Sequence, residues 1–91
     1  MAIVTLRYWA AAKDAAGLAE EKVEADTLAA AIAAALEAAR SRRGDHAGRL
    51  KLVMARSSYL VNGEPAGTRA PQAVVLPEDA LVEVLPPFAG G

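Results

Sequence analysis

Residues 81–91 read Leu81-Val82-Glu83-Val84-Leu85-Pro86-Pro87-Phe88-Ala89-Gly90-Gly91, and this stretch decides the fold. Its first five residues have high β-propensity and are apolar on both faces, which predicts a strand in the middle of a sheet. Two prolines end the strand, because proline cannot donate to a hydrogen-bond ladder. We therefore expect a buried central strand followed directly by a short tail.

The tail ends in two glycines, and Gly91 bears the only α-carboxylate of the chain. At ordinary glycine usage, a terminal Gly-Gly pair arises by chance in about one chain in two hundred. Residues without a Cβ can enter a narrow channel and bend freely at the reacting carbon, which suits both Gly90 and Gly91. We predict that the Gly91 carboxylate is the functional group of the protein. Leu85 and Phe88 are apolar residues at and beyond the end of the strand, and we expect them to anchor a partner protein.

Composition limits what else the chain can do. Its 91 residues predict one domain over residues 1–91, with the tail at 86–91. The formal net charge of -1 does not favour binding to nucleic acid. There is no cysteine, and His46 is the only histidine, so neither a cysteine nor a multi-histidine metal site is expected. No apolar run is long enough to span a membrane and no signal peptide is evident, so we expect a cytoplasmic protein.

In the first half of the chain, alternation of apolar and polar residues predicts strands, and runs of helix-forming residues predict helices. Val4, Leu6 and Tyr8 lie on one face of a strand that begins at Ile3. Three further elements are predicted after it: a short helix over 9–16 that ends at Gly17, an edge strand over 20–25, and the main helix, from the N-cap Thr27 to Arg43.

The main helix is expected to pack on the sheet through Leu28, Ile32 and Leu36, which recur every four residues. Residues 49–56 fit either a helical turn or an irregular crossing. Six basic residues lie between Arg40 and Arg56 against one acidic residue, Asp45. We interpret them as a solvated surface, with docking to an acidic partner patch as the alternative.

Asn62-Gly63 predicts a hairpin with a type I′ turn, and Pro65 confines the returning strand to an edge. Ser57, Ser58 and Tyr59 are assigned to the sheet, because no histidine base is placed near them in the sequence. The last strand is expected to lie beside the first. The elements together predict an α+β roll, in which one main helix crosses a mixed sheet.

The chain resembles the MoaD/ThiS family of ubiquitin-like sulfur carriers, which includes the small subunit of molybdopterin synthase. The most specific match is the tail, Leu85-Pro86-Pro87-Phe88-Ala89-Gly90-Gly91. Further matches are Arg7-Tyr8-Trp9-Ala10 with Ala15-Ala16-Gly17, Thr27-Leu28, Ser58-Tyr59-Leu60-Val61-Asn62-Gly63, and the turn at Pro77-Glu78-Asp79. The stretch from Ser41 to Met54 is longer than in the thiamine-pathway carriers, which favours the molybdenum-cofactor branch.

The resemblance implies a β-grasp fold and a specific chemistry. An activating enzyme similar to the ubiquitin-activating class would use ATP and magnesium to adenylate Gly91, and a sulfur donor would convert it to a thiocarboxylate. The chain would bind no cofactor or metal itself and would not be an enzyme on its own. It would donate sulfur within the large catalytic subunit of molybdopterin synthase. The partner-binding residues are expected to be Leu85, Pro86, Pro87, Phe88 and Ala89, together with Trp9 and Lys13, which align with contact positions of the family.

Three alternatives remain open at this point. The same chemistry could serve thiazole, cysteine or thio-metabolite synthesis, or the chain could be a ubiquitin-like modifier conjugated to lysines. It could also be a β-grasp interaction domain with incidental terminal glycines. Trp9 fits a core position as well as a partner contact, and Lys13 fits a solvated charge.

Overall fold

The structure is a computed structural model that describes residues 2–44 and 47–87. Within these ranges the strands are β1 (Ile3–Tyr8), β2 (Glu20–Glu24), β3 (Ser58–Val61), β4 (Glu64–Pro65) and β5 (Leu81–Leu85). The helices are α1 (Ala10–Ala16), α2 (Leu28–Arg43) and α3 (Ala47–Arg56), and Pro71–Ala73 form a single 3₁₀ turn. The predicted strands and the main helix are confirmed, and the ambiguous segment 49–56 lies within α3.

The described strands form one mixed sheet in the order β2-β1-β5-β3-β4. The last strand lies beside the first, as predicted, and the two run parallel with Leu6 opposite Val82. β3 pairs with the other side of β5 in antiparallel register, with Tyr59 opposite Val84. A central position suits β5 because its two faces are both apolar.

Turn and cap chemistry fix the ends of the elements. Asn62 and Gly63 both have positive φ, 51° and 84°, as the type I′ turn requires. Thr27 caps α2, since its Oγ1 accepts a hydrogen bond from the backbone N–H of Ala30 at 3.1 Å. Gly17 ends α1 in the left-handed conformation, with φ 82°. Each of these local signals agrees with the sequence prediction.

The predicted contact face of α2 is wrong in part. Leu28 is buried, but Ile32 and Leu36 are only half-buried, and the buried residues that follow Leu28 are Ala31, Ala35 and Ala39. Alanine lets the helix approach its neighbours closely, whereas a row of branched side chains would hold it away. The α2 core face is thus an alanine row, and the two larger residues flank it.

The core lies between the sheet and the helices. From the sheet it receives Val4, Leu6, Tyr8, Val82 and Val84, all at most 2% exposed. From α3 it receives Leu50 and Met54, which close the space between α1 and α2. The apolar side chains of β5 therefore anchor the strand from which the tail leaves.

Candidate functional site

The root of the tail leaves the middle of the sheet. Leu85 is the last residue of β5, lies opposite Ser58 of β3 and is half-buried. Pro86 is buried, so Pro87 is the first exposed residue beyond the strand. Phe88, Ala89, Gly90 and Gly91, which the sequence predicts as partner-binding and reactive residues, lie outside the described residues.

Trp9 lies directly against the strand that carries the tail. Its backbone N–H donates to the carbonyl of Val84 at 3.2 Å, and its indole Nε1–H donates to Glu83 Oε2 at 3.1 Å. The side chain is 42% exposed. Of the two interpretations that the sequence allowed for Trp9, the structure therefore excludes a core position and brings Trp9 beside Leu85.

Lys13 lies one helical turn beyond Trp9 on α1, and its backbone N–H donates to the Trp9 carbonyl at 3.4 Å. It is exposed and lines an open depression of about 470 Å³ together with Trp9, Ala10 and Glu20. The structure thus brings Trp9, Lys13 and Leu85 to one end of β1 and β5. That end is a surface at which a partner could contact α1 and the tail root together.

Ala10 begins α1 with φ 48°, in the left-handed region that costs a residue with a Cβ about 1–2 kcal/mol. This conformation turns the chain from β1 into α1 directly after Trp9. Strained backbone is retained where the surrounding contacts require it, and such positions cluster at functional sites. The strain at Ala10 therefore helps to hold Trp9 against β5.

A polar cluster behind this surface was missed in the sequence. The Tyr8 hydroxyl donates to Glu21 Oε2, and the guanidinium of Arg42 donates to Glu21 Oε1 at 3.1 Å and to the Ala16 carbonyl at 2.9 Å. Burial raises the pKa of Tyr8 above its ordinary value, and the hydrogen bond to Glu21 raises this pKa further. The cluster ties β1, β2, α1 and α2 together. The register could have revealed it, because Glu21 lies opposite Leu6 and so faces the core.

The hydroxyl groups near the start of β3 are used in backbone contacts. Ser57 Oγ donates to the Val53 carbonyl at 2.8 Å, and Tyr59 donates to the Met54 carbonyl at 2.8 Å. Burial raises the pKa of Tyr59 to about 12. These contacts join α3 to β3. The assignment to the sheet holds for Ser58 and Tyr59, whereas Ser57 lies just before the strand, between α3 and β3.

Metal ligands and membrane spans were sought over residues 2–44 and 47–87. No three histidine, cysteine or acidic side chains in these ranges come together as a metal site. Nor does any helix in them have the length and apolar character needed to cross a bilayer.

Comparison with known proteins identifies the fold. No family model and no curated protein matches the chain. Among solved structures, small archaeal modifier protein 1 from Methanosarcina acetivorans matches with a TM-score of 0.72 at 20% identity, covering 100% of this chain and 98% of its own. A putative molybdopterin converting factor subunit 1 from Pyrococcus furiosus matches with a TM-score of 0.68 at 21% identity, over 97% and 100% of the two chains.

The chain has the β-grasp fold. The resemblance found in the sequence is confirmed at this level, because its structural neighbours include a protein that bears the name of the molybdopterin converting factor. A third β-grasp match comes from a complex of subunits 1 and 2 of the molybdopterin-converting factor from Helicobacter pylori. Its TM-score is 0.60 at 18% identity, over 98% of this chain and 99% of that one.

Proposed function

We propose that this β-grasp chain is a sulfur carrier that works through its C-terminal carboxylate. A carboxylate is a poor electrophile at neutral pH, so the proposed reaction begins with activation by a separate enzyme. A Gly91 oxygen attacks the α-phosphorus of ATP and pyrophosphate leaves. A hydrosulfide ion from a sulfur donor then attacks the acyl carbon and AMP leaves, which yields a thiocarboxylate at Gly91.

The main support is the position of the tail root. β5 is the central strand, and the chain reaches the surface at Pro87 beside the exposed Trp9. A central strand fixes the direction in which the following residues leave the sheet. Beyond Pro87 the sequence continues as Phe88-Ala89-Gly90-Gly91, which can extend roughly 13–14 Å from the domain. That length is enough to enter a partner's active site while α1 contacts the partner's surface.

The proposed acceptor pathway is molybdopterin synthesis, with the large catalytic subunit as the second partner. Two neighbours support this pathway, one named as molybdopterin converting factor subunit 1 and the other as a complex of subunits 1 and 2 of that factor. In this role the chain supplies sulfur and its partner performs the catalysis. Leu85, Pro87, Phe88 and Trp9 are proposed as contacts to both partners, with Lys13 at the rim.

A second candidate is a ubiquitin-like modifier that is joined to lysines through Gly91. It is favoured by the match to small archaeal modifier protein 1. Both candidates require activation of the same carboxylate, but they differ in the nucleophile that receives it. The sulfur carrier ends as a thiocarboxylate, whereas the modifier ends as an isopeptide.

Intact mass of the protein isolated from its native cells tests the proposal. The expected species has one carboxylate oxygen replaced by sulfur, and deletion of Gly90 and Gly91 removes that species. The deletion should leave the unfolding midpoint close to that of the full chain. Val75→Ala serves as the matched control, because Val75 is exposed and its isolated bridge with Thr27 lies outside the strands of the sheet. ATP-dependent activation that survives the deletion would exclude this function, and isopeptide adducts without thiocarboxylate would favour the modifier.

A further inference from the structure

An apolar groove lined by α2, α3 and the segment 66–71 is not used by the proposed sulfur chemistry. It has a volume of about 420 Å³, and its walls include the half-buried Ile32 and Leu36 of α2 and Met54 of α3. A second depression of about 430 Å³ shares Leu36 and Lys51 with the first and continues beside α3 as far as Gly48. The two depressions follow one another along α2 and share these two residues, and we call them together the α2–α3 groove.

The shape of the α2–α3 groove suits a helix. On α2 its lining runs from Leu28 to Arg40, and at 1.5 Å per residue this corresponds to about 18 Å, or about three helical turns. An amphipathic helix places apolar residues in such a groove at intervals of three and four. The half-exposed Ile32 and Leu36 are the apolar surface that such residues would cover.

The charges at the rim indicate the chemistry of the occupant. Lys51 and Arg69 both line the groove and are exposed, whereas Glu37, which also lines it, is paired with Arg40. The Arg69 guanidinium is held in place, since it donates to the carbonyls of Ala66 at 2.9 Å and Pro65 at 3.4 Å. Among residues 2–44 and 47–87, no carboxylate oxygen lies within 4.0 Å of either cation's nitrogens. An occupant with carboxylates beside its apolar face would complement both cations.

Gly48 adds an independent observation on the second half of the groove. It is the second residue of α3, in the first turn of that helix, and lines the second depression. A Cβ placed on Gly48 would have no neighbour within 4 Å, so packing inside the chain does not require glycine there. Its absence of a side chain keeps the groove open at its wall and permits close approach of a second backbone.

We propose that the α2–α3 groove binds an acidic amphipathic helix of a partner protein. The apolar face of that helix covers Ile32 and Leu36, and its carboxylates pair with Lys51 and Arg69. A nucleic acid is a poorer match, because the groove walls are apolar and phosphate binding needs a continuous row of cations. A membrane is a poorer match too, because the apolar surface is concave, whereas a membrane-binding helix buries a projecting apolar face.

A designed peptide provides the probe. It is a capped fifteen-residue helix with leucines on one face and glutamates beside them, and its matched control has lysine in place of every glutamate. Binding is measured by fluorescence anisotropy, and the site is mapped by amide chemical shifts of isotope-labelled protein. We expect saturable binding of the glutamate peptide with shifts at Ile32, Leu36, Lys51 and Met54. The lysine peptide should bind at least tenfold more weakly.

Four variants make the test more specific. Lys51→Glu should lower the affinity for the glutamate peptide at least tenfold. Lys22→Glu reverses a charge at an exposed residue of β2 and should leave this affinity unchanged. Gly48→Gln should fold normally, because the added side chain starts in open space, and should also weaken binding. Deletion of Gly90 and Gly91 should not alter peptide binding, so this inference and the sulfur-carrier function fail independently.

Four outcomes would overturn the inference. They are no saturable binding, equal affinity for the two peptides, shifts confined to residues outside the groove, and retention of full affinity in Lys51→Glu. Phosphatidylserine vesicles or a single-stranded oligonucleotide that shift the same amides, when the glutamate peptide does not, would assign the groove to a different class of partner.

Discussion

The indole Nε1–H of Trp9 donates to Glu83 Oε2 at 3.1 Å, which joins the residue before α1 to the strand that carries the tail. The tryptophan ring is 42% exposed, so this bond positions an aromatic surface rather than filling the core. Aromatic side chains held in this way are frequent energetic centres of protein interfaces. The pair therefore links the tail root to the surface predicted to meet a partner.

Trp9→Ala is expected to weaken binding to the activating enzyme by about 30-fold, since removing a central interface aromatic commonly costs about 2 kcal/mol. The free energy of unfolding should fall by about 1–2 kcal/mol, because Trp9 is 42% exposed and its remaining surface is shielded by the protein. Titration calorimetry and urea denaturation measure the two quantities. Glu83→Gln keeps an oxygen acceptor and should resemble the wild type. Unchanged affinity in Trp9→Ala would remove Trp9 from the interface.

Glu21→Ala is expected to lower the free energy of unfolding by about 1–3 kcal/mol, because it leaves the Tyr8 hydroxyl without its acceptor. Tyr8→Phe should cost less, since Glu21 keeps its bond to Arg42. Glu20→Ala is the control, as its pair with Arg7 is exposed and should contribute under about 1 kcal/mol. Urea denaturation of the three variants gives the comparison. Equal losses for Glu20→Ala and Glu21→Ala would contradict a structural role for the cluster.

Stability should fall in the alkaline range. Burial raises the pKa of Tyr59 from 10.0 to about 12, so the folded state favours the neutral phenol. This contribution is present in full below pH 10.0, the ordinary pKa, and is lost as the pH rises towards about 12. Urea midpoints measured across this range, with tyrosinate absorbance followed in parallel, test the prediction. In Tyr59→Phe, the urea midpoint should fall less steeply with rising pH than in the wild type. An equally steep fall in the variant would contradict the prediction.

Ala35→Leu should destabilise the fold by about 1–3 kcal/mol, because Ala35 is 0% exposed in the alanine row of α2 and a larger side chain forces the helix away from its neighbours. Ala30→Leu places the same side chain on an exposed position of the same helix and should stay within about 0.5 kcal/mol of the wild type. Thermal and urea unfolding measure both. Tolerance of leucine at position 35 would show that the alanine row is not closely packed.

Ala10→Gly is expected to raise the free energy of unfolding by up to about 1 kcal/mol, because glycine relieves the positive φ at this position. Ala12→Gly on the same helix should lower it by about 1 kcal/mol or more, since Ala12 is 0% exposed and has no such strain to lose. The two variants should therefore change the free energy of unfolding in opposite directions, which urea denaturation measures. A loss of stability in Ala10→Gly similar to that in Ala12→Gly would mean that Ala10 is unstrained.

Local chemistry explains which parts of the fold could be predicted. Asn62-Gly63 and the Thr27 cap act through neighbouring backbone, so their conformations follow from a few residues. The apolar faces of β5 place it in the centre of the sheet for a reason visible in its own sequence. The end of β1 and β5 could therefore be anticipated as the place where Trp9 and Leu85 meet.

Tertiary packing explains what could not be predicted. Whether the alanine row or the Ile32–Leu36 seam of α2 is buried depends on how closely the helix approaches its neighbours. Hydrophobic periodicity does not predict this distance, because alanine contributes little to the hydrophobic pattern. The helical state of 47–56 depends on packing against α1 and α2. From the sequence alone, Glu21 is interpreted as a solvated charge on an edge strand. Its position opposite Leu6, which shows that it faces the core, is known only from the strand register. The roles of Phe88, Ala89, Gly90 and Gly91 remain predictions.

Parallel pairing of β1 with β5 has a consequence for how the molecule is made. The strand that completes the middle of the sheet is synthesised more than seventy residues after its neighbour, so the central ladder closes late and over a large sequence separation. A chain cut short before residue 81 lacks the middle strand of the sheet. The folded sheet itself therefore distinguishes chains that extend past residue 85 from shorter ones, because only the former can close the central ladder.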